Sequence, residues 1–269
     1  MVLRRQSRWA LALPLVVALA GLSGCGSTEA AAPAAPAATA SAAGGEAATV
    51  TVFAAASLTG TFTELGKTFE AAHPGTTVKF NFGSSATLAQ QITAGAPADV
   101  FAAASPATMK TVTDAGLAGA PATFVRNKLE IAVPADNPAK VDDLKDLTDA
   151  KVKVALCAEQ VPCGAAAVKA LDAAGLKVTP VTLEQDVKAT LTKVELGEVD
   201  AALVYKTDVI ASGGKVRGIP FPEADKAIND YPIAALSKAP APGPAKQFVD
   251  LVLSAEGRGV LTKAGFEAP

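Results

Sequence analysis

TVTVFAAASLTGTFTELGKTFEAAHPGTTVKFNFGSSATLAQQITAGAPADVF, residues 49–101, decides the fold. Thr49 to Ala54 reads as a β-branched strand. Leu58, Phe62, Leu65 and Phe69 then recur at helical spacing until His73-Pro74-Gly75 stops them. Thr77 to Phe82 is a second strand, Leu88 and Ile92 open a short helix closed at Gly95, and Ala98 to Phe101 is a third strand. Ser105-Pro106 supplies an N-cap with proline at the first helical position, opening a helix through Met109 and Val112. The order β-α-β-α-β-α predicts an α/β fold: a mostly parallel sheet with helices on its faces.

Two turns inside this stretch carry the chemistry, Phe53 to Thr59 and Phe82 to Leu88. Each places serine where a strand becomes a helix: Ser57 in the first, Ser84 and Ser85 in the second. Such a turn gathers a hydroxyl and unpaired backbone N–H groups at the positive end of a helix, which is an anion site. Serine is also an ordinary N-cap, so the turns alone leave both readings open.

Working outward, Arg4, Arg5 and Arg8 precede the apolar run Trp9 to Leu22, which ends in Leu22-Ser23-Gly24-Cys25. A basic region, a short apolar core and small residues before the cut make residues 1–24 a secretory leader. The run is shorter than the roughly 20 residues a membrane span needs. The Leu-Ser-Gly-Cys end resembles the lipobox of bacterial lipoproteins, which implies that Cys25 carries a lipid. Residues 25–48 are rich in Ala, Pro, Gly and Ser, cannot bury a core, and read as a flexible tether. The protein is thus expected outside the cytoplasm, held to the cell membrane.

The whole chain has 24 basic and 26 acidic residues; removal of the leader arginines leaves 21 against 26. No basic stripe marks a nucleic-acid partner. An acidic chain that binds an anion must do so with local dipoles rather than bulk charge. Cys157 and Cys163, separated by five residues in an exported chain, are expected to form a disulfide. A resident metal is poorly supported, because His73 is the only histidine and no second cysteine pair exists.

Beyond residue 129 the pattern repeats. Strands are read at Leu129–Val133, Val152–Leu156 and Ala201–Tyr205. Helices are read at Cys163–Ala174 and Asp186–Leu196, each closed by glycine. Strand-like segments near Val216–Pro220 and Tyr231–Leu236 lead to a C-terminal helical region over 245–264. The division is a first lobe of residues 49–129 plus 233–269 and a second of 130–232. Ligands of open α/β sheets sit beyond the carboxyl ends of the strands, toward which the turns at Ser57, Ser84-Ser85, Cys163 and Asp186-Val187 and the strand end at Tyr205 all point.

TVFAAASLT (51–59), SSATLAQQITAGAPADVF (84–101), VPCGAAAVKAL (161–171), EQDVKATL (184–191) and ALVYKTD (202–208), in this order, resemble the molybdate-binding proteins of bacterial ABC importers. These belong to the type II periplasmic-binding-protein superfamily. The resemblance covers about residues 49–269 and implies a two-lobed fold with the ligand cleft between the lobes. It also implies a monomeric receptor without cofactor, whose ligand is molybdate or tungstate and whose partner is a membrane permease. The only metal is then the molybdenum of the ion itself. The implied donors are Ser57 and Ser85 through side chain and backbone, Cys163 and Val187 through backbone N–H, and Tyr205 through its hydroxyl. Ser84 is the alternative to Ser85.

Molybdate is fully deprotonated at neutral pH and offers only acceptors, which hydroxyls and helix N-terminal amides satisfy. Sulfate and thiosulfate remain the alternative ligands, since sequence does not show cavity size. Ferric receptors of this superfamily present paired tyrosines, whereas Tyr205 and Tyr231 are read here as well apart. An enzyme is not expected: G-x-S-x-G is absent and His73 lies at a helix end. Asp99 is read as a strand brace, and Asp186 and Asp208 as helix N-caps.

Overall fold

Ten strands divide between two five-stranded sheets in the computed structural model, which describes residues 48–269. The leader, Cys25 and nearly all of the tether lie outside the described residues. In the first sheet, β1 (Ala48–Ala55) lies between β2 (Thr76–Gly83) and β3 (Val100–Ala102), all parallel. Two antiparallel strands follow in the order β3, β10 (Asn229–Ala235), β4 (Ala122–Asn127). The second sheet repeats the plan. β6 (Val154–Cys157) lies between β7 (Thr182–Glu184) and β8 (Ala201–Tyr205), all parallel; β5 (Leu129–Pro134) and β9 (Val216–Ile219) complete it antiparallel.

Helices α1 (Thr59–Ala72), α2 (Ser85–Thr93) and α3 (Pro106–Asp114) follow the parallel strands of the first sheet. Helices α4 (Pro162–Ala174), α5 (Val187–Glu195) and α6 (Lys206–Ala211) follow those of the second. Leu58, Phe62, Leu65 and Phe69, the apolar stripe read from the sequence, are fully buried against Val50, Val52 and Phe248. His73 ends α1, its ring stacked on Phe69. Asp99 braces the first sheet as read, its carboxylate accepting the N–H groups of Thr51 and Ala241, each at 2.7 Å.

The chain crosses from the first sheet to the second through Lys128 alone and returns between Ile219 and Asn229. The sequence reading gave residues 229–232 to the second lobe, but β10 carries them in the first sheet. The Tyr231-Pro232 signal marks the middle of the returning strand, where its register shifts, and not its start. Three elements escaped the sequence reading. β4 (ATFVRN) mixes polar and apolar residues, β7 is three residues at a sheet edge with Leu183 exposed, and α6 follows buried β8 without a breaking residue. The C-terminal region is two helices, α7 (Pro242–Leu253) and α8 (Ala255–Lys263), parted at Ser254, which caps α8 through Gly257 N–H.

Candidate functional site

All six parallel strands, three from each sheet, deliver their C-terminal ends to one small cavity. Ala55, Ala56 and Ser57 reach it from β1, Gly83, Ser84 and Ser85 from β2, and Ala104 from beyond β3. From the second sheet come Val161, Pro162 and Cys163 after β6, Asp186 and Val187 after β7, and Tyr205 at the end of β8. Every residue implied as a donor by the sequence resemblance, Ser84 included, lines this space. About 20 Å³ is open to the centre of a water-sized sphere, where one water needs roughly 10–15 Å³.

The lining offers donors. The first N–H groups of α2, α4 and α5 have no intrahelical acceptor, and among the described residues no side chain caps α2 or α4. Pro162 is the first residue of α4, so Cys163 carries its first free N–H. Asp186 caps α5 as read from the sequence, its Oδ1 accepting Lys188 N–H at 2.9 Å and Ala189 N–H at 3.0 Å. That leaves the N–H of Val187, the first residue of α5, without an acceptor in its own helix. Asp186 also brings a carboxylate into the lining that the sequence reading did not count; its Oδ1 is engaged by the α5 amides.

The hydroxyls are held from behind. Ser85 Oγ accepts Ala104 N–H at 3.0 Å, Tyr205 OH accepts Asn229 Nδ2 at 2.9 Å, and Ser57 Oγ lies 3.0 Å from Tyr231 OH. Ser84 Oγ is buried with no hydrogen-bond partner among the described residues. A buried hydroxyl normally has one, so Ser84 is a further unspent donor at the cavity wall.

Tyr205 and Tyr231, far apart in sequence and read as well apart, meet edge to face with ring centroids 6.1 Å apart. The strand order explains this, since β8 ends at the same cleft that β10 enters. Burial raises both phenols above their ordinary value; for Tyr205 the neighbouring Tyr231 and Asp208 add to the effect. Both stay protonated at neutral pH, so each hydroxyl keeps a proton to donate.

Asp208 is not the N-cap it was read to be. Tyr205 occupies that place and Asp208 is the third residue of α6, its Oδ2 accepting Tyr205 N–H at 3.3 Å. Its carboxylate is fully buried, with Lys188 Nζ 3.0 Å from Oδ1. Burial pushes this carboxyl up, against the pull of Lys188. The ion pair cancels a negative charge directly behind Tyr205, where an anion would otherwise meet it.

Cys157 and Cys163 are bridged. The bond ties the end of β6 to the first turn of α4, across a separation of 6 residues. A loop this short contributes about 2 kcal/mol by limiting the unfolded chain. Cys157→Ser is therefore expected to lower Tm by about 4–8 °C and to weaken ligand binding a few-fold as the Cys163 amide loosens. Melting and titration with and without reductant check this; no change in either contradicts it.

Tyr231, Asn127 and Asn229 are the residues at this site that sequence reasoning missed. Tyr231 is read from the sequence only as the start of a strand and as distant from Tyr205, and single asparagines at strand ends carry no periodic signal. Among the described residues no group of three His, Cys, Asp or Glu could hold a metal ion, and no helix is long and apolar enough to cross a membrane.

The sequence model of the bacterial extracellular solute-binding proteins matches residues 50–267. The chain belongs to that family. This solute-binding protein is 43% identical over 266 residues to the molybdate-binding protein ModA of Mycobacterium tuberculosis, covering 97% of this chain and 100% of that one. It is 31% identical over 231 residues to ModA of Escherichia coli K12, covering 81% and 88%. Among solved structures it superposes on the periplasmic molybdate-binding protein of Azotobacter vinelandii with a TM-score of 0.71 and 22% identity, over 82% of this chain and 99% of that chain. The resemblance read from the sequence holds for family and fold.

Proposed function

We propose that this solute-binding protein is a receptor for molybdate, and for tungstate beside it, that delivers the ion to the permease of an ABC importer. The observation that carries the reading is the convergence of six strand ends on one small cavity that gathers serine and tyrosine hydroxyls and free helix amides. The relatives named as molybdate-binding, at 43% identity over nearly the whole chain, give the donor set its most specific ligand. Ser57, Ser85, Tyr205 and the amides of Cys163 and Val187 hold the oxyanion, with Ser84 beside Ser85. A tetrahedral dianion without protons accepts from all of them, and several N–H dipoles spread its charge without a lysine or arginine. Ligand binding is the whole activity; no bond is made or broken.

The serines belong to the first lobe and the other donors to the second. An ion bridging both stabilises the closed arrangement by its differential affinity, with the crossings at Lys128 and at residues 220–228 as hinges. The closed form is the one that docks on the permease. The Leu-Ser-Gly-Cys end of the leader supports a lipid on Cys25, with the tether holding a monomeric receptor off the membrane surface.

A melting experiment tests the reading. Ligand at a thousandfold over Kd adds about 4 kcal/mol, so molybdate should raise Tm by about 8–16 °C while equimolar chloride does nothing. A rise with sulfate and none with molybdate would move the function to sulfur uptake. Tyr205→Phe removes one hydrogen bond to a charged ligand, and calorimetry should find affinity down by roughly ten- to hundredfold. Unchanged affinity would take Tyr205 out of the site.

A further inference from the structure

We propose that Asn229, on the strand that returns from the second sheet, is the positioning residue that fixes which way the Tyr205 hydroxyl proton points. The inference rests on the oxyanion reading above and adds to it the origin of the site's donor character.

Asn229 is the first residue of β10 and is 7% exposed. Its Nδ2 lies 2.6 Å from Ala104 O and 2.9 Å from Tyr205 OH. The orientation of an amide side chain is decided by its partners, and here the first partner settles it. A backbone carbonyl only accepts, so the group facing Ala104 O must be the NH₂. The second NH₂ proton then goes to Tyr205, whose oxygen accepts it. A phenol has one proton; with its oxygen receiving from Asn229, that proton is directed away from Asn229, to the side that holds the Tyr231 hydroxyl and the cavity that Tyr205 lines.

The same amide governs the opposite wall. Ala104, whose carbonyl Asn229 holds, donates its N–H to Ser85 Oγ at 3.0 Å, which leaves the Ser85 proton free to point inward. One side chain thus ties donors from both sheets into a single polarity: Ser85 on the first, Tyr205 on the second. It does so from a hinge strand, directly opposite Asn127 in the β4–β10 register. Asn127 is oriented in a matching way: its Oδ1 accepts Lys128 N–H at 3.1 Å, which turns its Nδ2 to Thr207 Oγ1 at 2.8 Å. The donors that Asn229 sets, Ser85 and Tyr205, suit an oxyanion without protons; the carboxylate in the lining, Asp186, has its Oδ1 taken by the α5 amides.

The test is a double-mutant cycle on molybdate affinity, by calorimetry, with the purified full chain as wild type, Asn229→Leu, Tyr205→Phe and the double variant. Leucine keeps the volume and removes the donor. Asn229→Leu should weaken molybdate binding about tenfold alone and about threefold in the Tyr205→Phe background, where only its hold on Ala104 and Ser85 remains. The unpaired Ala104 carbonyl is common to both backgrounds and cancels in the coupling. An equal loss in both backgrounds overturns the proposal, as does an unchanged affinity in Asn229→Leu. If the leucine variant does not fold, Asn229→Ala runs the same cycle with the same criterion. Wild-type protein that binds no molybdate fails the functional reading itself, which is a different result from additivity in a protein that binds.

Discussion

Val187→Pro is expected to fold normally and to lose molybdate affinity by a hundredfold or more, about 3 kcal/mol. Val187 is the first residue of α5, the one helical position where proline is at home. Asp186 before it is already extended, at φ −156° and ψ 169°, as a residue preceding proline must be. The Asp186 cap on the amides of Lys188 and Ala189 is untouched. The substitution deletes one N–H and places a ring CH₂ where an oxyanion oxygen would sit. Val187→Ala keeps the N–H and should keep the affinity within about twofold. Calorimetry on the pair separates a backbone donor from a packing residue; a proline variant that binds as well as wild type would remove Val187 from the site.

Gly164→Ala should produce the largest loss of stability of any conservative change near the site. A Cβ at Gly164 would collide with the carbonyl oxygen of Ala158 and come within 2.7 Å of that of Cys157. Both are backbone atoms in the turn that the disulfide closes, so neither can swing aside. Overpacking costs about 1–3 kcal/mol where side chains can yield; here the upper end is expected, about 3 kcal/mol, lowering Tm by about 6–12 °C. The collision lies beside Cys163, so the amide it presents to the cavity should move and ligand affinity should fall with stability. Gly243→Ala, in the first turn of α7 with open space around it, is the control and should leave both unchanged. Melting curves of the two variants decide this, and equal Tm values would contradict the close approach.

The two variants also show what was legible in the sequence. Ser57, Ser84, Ser85, Cys163 and Tyr205 lie at or just past strand ends legible in the sequence, and chain direction fixes where parallel strands end; their reading as donors, and that of Val187, came from the family resemblance. The alternation of period 2 with period 3.6 over residues 49–114 gave the first sheet because each apolar stripe is local. β4 and β7 were not legible because they are held by neighbours on the sheet and not by their own composition. Nor was the meeting of Tyr205 with Tyr231, which depends on two sheets sharing one cleft. The role of Asp208 was misread by position, because α6 begins without a break and shifts the cap to Tyr205. The backing of the hydroxyls by Asn229 and Ala104 depends on contacts 24 and 125 residues apart in the chain, for which no local pattern exists.

Calorimetric titration of the purified protein with molybdate, tungstate, sulfate and phosphate tests the central claim most directly. Tight binding of molybdate and tungstate, with sulfate and phosphate silent, is the predicted result. Tight sulfate or phosphate binding with molybdate silent, or silence from all four ions, would contradict it.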